Sequence, residues 1–104
     1  LHIARLPHLT ELSISKNEIT DKGLETISPL TELSYLDLTT NLITDAGVPH
    51  LLPFKLLTHL YLMSNRLTET GAYALLKMGS LEVLDLRFNI GDAAARDRLR
   101  ESKP

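Results

Sequence analysis

Leu9, Leu33, Leu57 and Leu81 stand at a constant interval of 24 residues. A fixed step of that size leaves few folds open: each repeat is one supersecondary unit that buries its apolar face only against the next copy. Other positions keep the same step. Leu12, Leu36, Leu60 and Leu84 form a second register, Ile14, Leu38, Leu62 and Leu86 a third, and Asn17, Asn41, Asn65 and Asn89 a fourth. The shared phrase is L-x-x-L-x-L-x-x-N, in four copies without a gap. A chain of 104 residues organised this way reads as one domain made by stacking, too short for two separate cores.

Within the phrase, leucines alternate with variable residues, the period-2 pattern of a short strand with one buried face. Four such strands should lie side by side. After each Asn comes an apolar residue (Ile19, Ile43, Leu67), then Thr20-Asp21, Thr44-Asp45 or Thr68-Glu69. A hydroxyl followed by an acid suits a helix N-cap and the positive end of the helix dipole. The spacing predicts helices that bury Gly23, Leu24, Ile27 and Leu30, then Gly47, Val48, Leu51 and Phe54, then Gly71, Ala72, Leu75 and Met78, at offsets of three and four. Glycine is unfavourable inside a helix, so its recurrence predicts close approach of the backbone to a neighbouring coil. Pro29 and Pro53 should end their helices. The Asn column reads as a structural ladder, because an amide with two donors and an acceptor can satisfy the backbone of the bend that follows each strand.

These residues resemble the leucine-rich repeat family. The phrase N-x-I-T-D-x-G, at residues 17–23 and again at 41–47, looks like the 24-residue GALA-type subclass, with a likeness to ribonuclease-inhibitor and F-box-associated repeats. The resemblance implies an α/β solenoid of right-handed strand-turn-helix coils, with a parallel sheet on the concave side, helices on the convex side, and a role in binding proteins. Members of the subclass are common in bacteria and some are delivered into host cells, which leaves open that this is a bacterial effector. Some members carry an F-box; none is visible here, so ligase recruitment does not carry over.

On this reading residues 1–104 are one repeat domain. Residues 1–8 form the tail of a preceding coil, because Ile3 and Leu6 repeat the spacing of Ile27 and Leu30. Residues 9–32, 33–56 and 57–80 are full coils, and residues 81–104 a capping repeat. The run Asn89-Ile90-Gly91-Asp92 is one residue shorter than its counterpart, and the charged stretch from Ala93 to Glu101 reads as a closing helix with a polar face toward water. The chain is expected to be part of a longer protein. An uncovered first coil would also permit self-association through that end.

Function is sought on the residues between the leucines, which should project from the concave face in four rows. The rows are Glu11, Tyr35, His59, Val83; Ser13, Asp37, Tyr61, Asp85; Ser15, Thr39, Met63, Arg87; and Lys16, Thr40, Ser64, Phe88. Tyr35, Asp37, His59, Tyr61, Met63, Asp85, Arg87 and Phe88 make a patch of the composition found at interface centres. Aromatic residues also favour strands for packing reasons alone, which keeps a structural spacer or self-associating scaffold as the alternative to a binding module. His59 between Asp37 and Asp85 is the one arrangement with a catalytic or metal-binding look, while His2, His8 and His50 fall in coil tails. The two aspartates are two strands apart, about 10 Å, too regular a placement for a glycosidase pair. No nucleophile-elbow, phosphate-loop or zinc-protease motif occurs, so the chain is read as a non-enzyme without a cofactor or metal.

Eleven Lys and Arg against 13 Asp and Glu give a net charge of −2, without the basic excess that phosphate backbones demand. No stretch approaches the roughly 18 apolar residues of a membrane span. The absence of cysteine favours a reducing compartment and leaves the core to packing alone.

Overall fold

The computed structural model describes residues 8–89. Residues 1–7 of the expected coil tail (1–8) and the closing helix from Ala93 lie outside this range. Four strands, β1 (Glu11–Ser13), β2 (Tyr35–Asp37), β3 (His59–Tyr61) and β4 (Val83–Asp85), form one parallel sheet in the order β1-β2-β3-β4. Their register follows the repeat residue for residue: Leu12 pairs with Leu36, Leu36 with Leu60, and Leu60 with Leu84. A slip of one residue would turn every leucine out of the core. Beyond the strands the coils stay bonded, as Leu38 N donates to Tyr61 O at 2.8 Å and Thr40 N to Met63 O at 2.8 Å.

The helices are α1 (Asp21–Thr26), α2 (Val48–Leu51), entered through a 3-10 turn at Asp45–Gly47, and α3 (Glu69–Leu76). They are shorter than the apolar spacing predicts. Ile27, Leu30, Phe54 and Met78 are all buried but fall after the helices have ended. From each helix onward the chain descends in steps of three: Ile27 N donates to Leu24 O, Leu30 N to Ile27 O, and Leu33 N to Leu30 O. The same staircase runs Leu51, Phe54, Leu57 and Leu75, Met78, Leu81. A bond from residue i to i−3 is the 3-10 pattern, which returns a side chain to the same face every third residue. Pro29 and Pro53, in the turns after α1 and α2, cannot donate to an α-helical ladder. In α1 the Thr26 hydroxyl further engages Gly23 O at 2.6 Å.

The staircase leucines meet the strand leucines in one continuous core from Leu12 to Leu81, with Phe54 the largest side chain fully inside. Two polar residues lie within it, Asn41 and Asn65. Asn41 Oδ1 accepts from the backbone N of Asn17 and Ile19, and its Nδ2 donates to Ile14 O and Leu38 O. Asn65 accepts from Ile43 N and donates to Leu38 O and Leu62 O; Asn89 accepts from Leu67 N and donates to Leu62 O and Leu86 O. Each amide therefore serves both its own bend and the bend of the coil before it. The Asn17 side chain is exposed and, among the described residues, bonds only locally, to Ser15 O.

A second column joins the coils on the helix side. Thr20 caps its own helix at Gly23 N, but the acids beside the caps reach into the next coil. Asp21 accepts from the backbone N and hydroxyl of Thr44, and Asp45 from those of Thr68. The glycines make room for this. A Cβ at Gly47 would come within 2.5 Å of Asp21 Oδ1, and one at Gly71 would overlap Asp45 Oδ1 and stand 2.9 Å from its Cγ. Gly23 differs, its nearest neighbour being its own coil's Ile19 at 3.1 Å.

Candidate functional site

With the central leucine of each strand in the core, the flanking residues emerge on the opposite face. The first row is Glu11, Tyr35, His59, Val83 and the second Ser13, Asp37, Tyr61, Asp85, neighbours in each row being paired across strands. Parallel strands about 4.8 Å apart bring such neighbours into side-chain contact. Tyr35, His59 and Tyr61 form a group of three rings: Tyr35 lies 5.4 Å from Tyr61 and 6.1 Å from His59, and His59 lies 6.4 Å from Tyr61. All three are half-buried. The Tyr35 phenol is raised above its ordinary pKa by partial burial, and then by the negative charge of Asp37, by Tyr61 and by Glu11.

His59 is held in one orientation. The Thr58 hydroxyl donates to Ser34 O at 3.0 Å, so its oxygen can only accept from His59 Nδ1 at 2.9 Å. The neutral ring then carries its proton on Nδ1 and leaves Nε2 as an acceptor. Asp37 Oδ1 accepts from Thr39 N at 3.0 Å. Asp85 is engaged by Arg87, whose Nε lies 3.0 Å and Nη2 2.7 Å from the carboxylate, with Nη2 also 3.2 Å from Met63 Sδ. This charge-assisted pair holds the guanidinium above its ordinary pKa, first by hydrogen bonding to Asp85 and then by its charge.

The third and fourth rows do not continue the strand. Every strand ends at its second-row residue, and Lys16, Thr40, Ser64 and Phe88 all adopt left-handed backbone, with φ of 60°, 59°, 57° and 65°. The chain turns a corner there, so the alternation used to place Phe88 beside the tyrosines fails. Phe88 is 69% exposed and makes no ring contact with the three-membered group. Met63 and Arg87 sit at the near edge of the corner, Arg87 reaching back to Asp85 and its Nη2 meeting Met63 Sδ. His8, exposed, pairs with Glu32, and His50 lies 3.8 Å from Glu25; His2 is outside the described residues. Among the described residues no group of three acidic or histidine side chains could hold a metal ion, and no helix is long and apolar enough to cross a membrane. On the helix side, an open depression lined by Leu52, Phe54, Ala74 and Met78 between Lys55 and Lys77 carried no signal in the repeat pattern.

Residues 5–28 and 55–76 match the family described as Leucine Rich repeat. An internalin (inlF) from Listeria monocytogenes str. 4b F2365, known from its crystal structure, matches with a TM-score of 0.59 and 24% sequence identity over 93% of this chain. The fold is a leucine-rich repeat solenoid. The solenoid spans 34% of that internalin's length. No curated protein matches the sequence. The two matched stretches cover the first and third coils of the solenoid, which are also those whose helices, α1 and α3, begin directly after the cap threonine; the second enters through its 3-10 turn.

Proposed function

We propose that this solenoid is a protein-interaction module that binds its partner through the concave face of the sheet, centred on Tyr35, Tyr61, Met63 and Arg87, with His59, Asp37 and Asp85 around them. The observation that carries the reading is the group of three half-buried rings on the face opposite the core. These rings cover no interior, so their packing leaves a broad, rigid, amphipathic surface of the kind that anchors protein partners. The leucine-rich repeat match and the internalin-like fold support an interaction module in general terms. The N-x-I-T-D-x-G phrase supports a GALA-type subclass, since its Thr, Asp and Gly carry the inter-coil column, and with that subclass a bacterial source.

The test is capture of binding proteins by the wild-type chain, by a Tyr61→Ala/Arg87→Ala variant and by a helix-side control, Leu56→Ala/Tyr73→Ala. Partners should be lost with the first pair and kept with the second. Capture unchanged by Tyr61→Ala/Arg87→Ala would refute the concave-face assignment.

A further inference from the structure

Resting on the concave-face reading, we infer that the surface formed by Asp37, Tyr35 and Tyr61 receives an arginine side chain of the protein partner. The repeat supplies an internal comparison. In the fourth coil the Asp85 carboxylate accepts from the backbone N of the residue two positions on, Arg87, at 3.2 Å, and the guanidinium of the same Arg87 folds back onto it through Nε and Nη2. Two coils earlier Asp37 occupies the equivalent position in the same turn, accepting from Thr39 N at 3.0 Å. There the place of Arg87 is taken by Thr39, which is too short to reach back, and its buried Oγ1 has no hydrogen-bond partner. Among the described residues no ion pair involves Asp37. The second coil thus repeats the acidic turn of the fourth without its guanidinium.

The surroundings favour a planar cation. Asp37 is paired directly with Tyr61 across the strands and lies two residues beyond Tyr35 on the same face, while the two rings stand 5.4 Å apart. A guanidinium on Asp37 would stand beside the two rings, whose faces attract a cation over roughly 6 Å, and its flat fork can stack where a compact ammonium cannot. The charged groups of the first two rows are Glu11, Asp37 and Asp85, all acidic. Of the basic residues beside these rows, Arg87 is already bound to Asp85, and Lys16, whose backbone N donates to Thr39 O, makes no ion pair with Asp37. Complementarity of this kind selects a basic partner segment.

The experiment is an NMR titration of the full chain with N-acetyl-arginine amide, against the neutral isostere N-acetyl-citrulline amide and against N-acetyl-lysine amide. Saturable shifts are expected at the Tyr35 and Tyr61 rings and the Thr39 amide, with citrulline weaker by about 2- to 30-fold, the range that one cation–π contact supplies, and lysine weaker because its ammonium lacks the flat fork that stacks and pairs in two places. Asp37→Asn keeps an acceptor for Thr39 N and should lose the preference for arginine. Thr39→Arg installs the missing guanidinium and should block the titration, its fold checked by unchanged leucine methyl resonances. Equal binding of citrulline or lysine, no saturable shift up to about 50 mM, well above a millimolar Kd, or a Thr39→Arg variant that titrates like wild type would each overturn the assignment. If capture still depends on Tyr61 and Arg87 while the titration fails, only the arginine assignment falls; if both fail, so does the concave-face reading.

Discussion

Substituting Gly71 by alanine tests whether the glycine column exists to admit the preceding coil's aspartate. In isolation the change should help, because alanine is favoured over glycine in a helix by about 0.5–1 kcal/mol, and Gly71 lies in the first turn of α3. Here the added Cβ would overlap Asp45 Oδ1, and the carboxylate must swing away from the backbone N and hydroxyl of Thr68. Hydrogen bonds to a charged group contribute about 1.5–3 kcal/mol. Both bonds are solvent-exposed, so about 2 kcal/mol for the pair is a fair figure. The net expectation is a loss of about 1–1.5 kcal/mol, or roughly 4–12 °C in Tm for a domain of this size. Thermal and urea unfolding of wild type, Gly71→Ala, Asp45→Ala and the double variant close a cycle. Asp45→Ala alone should lose about 2 kcal/mol, and Gly71→Ala made in that background should regain about 0.5–1 kcal/mol. If the glycine substitution is equally damaging with and without Asp45, the clash lies elsewhere, with the Leu67 Cδ2 atom 3.3 Å away as the first suspect, and the reasoning is refuted.

Asn41→Ala should destabilise by about 1–3 kcal/mol, because it leaves Asn17 N, Ile19 N and Ile14 O without their partner; exposed Asn17→Ala should lose under about 1 kcal/mol, and equal urea midpoints for the two would contradict the ladder. Thr40→Asn should stabilise by about 0.5–1 kcal/mol, since a β-branched residue at φ 59° is strained where Asn is tolerated; a lowered Tm would count against it. Ultraviolet titration should find the Tyr35 phenol ionising above its ordinary value of 10.0, and Asp37→Asn should shift it part of the way back. Because the folded pKa is raised, the stability linked to this group is present below pH 10 and fades as pH climbs through the folded value.

The 24-residue step placed the strands, their register and the core leucines directly, since a buried leucine every third or second position tolerates no slip. Helix length was less legible. Offsets of three between Leu24, Ile27 and Leu30 fit an α-helical face loosely and a 3-10 staircase closely, and the apolar pattern does not separate them until the prolines are weighed as donors missing from the ladder. Asp21 and Asp45 read as acids at their own helix ends, because sequence proximity favours that partner; their Thr44 and Thr68 partners lie 23 residues away. The left-handed corner carried no signal at all. Lys16, Thr40, Ser64 and Phe88 share no chemistry, and the geometry is imposed by inter-coil hydrogen bonds on whichever residue precedes the asparagine. At that corner the strand alternation stops short of Phe88, while Tyr35, His59 and Tyr61, inside true strands, stand together as their spacing indicates.

The two polar columns run in opposite directions through the stack. Asparagine looks back to the coil before, and aspartate looks forward to the coil after, so a junction such as that between the first and second coils is fastened on its sheet side by Asn41 and on its helix side by Asp21. No coil supplies both halves of its own fastening: the junction of the second and third coils repeats the lock with Asn65 and Asp45, while the third coil carries Glu69 in place of the aspartate. A duplicated or transplanted coil can therefore be spliced in wherever it brings its own asparagine, threonine, aspartate and glycine at the 24-residue step, and the surface rows between the leucines remain free to change.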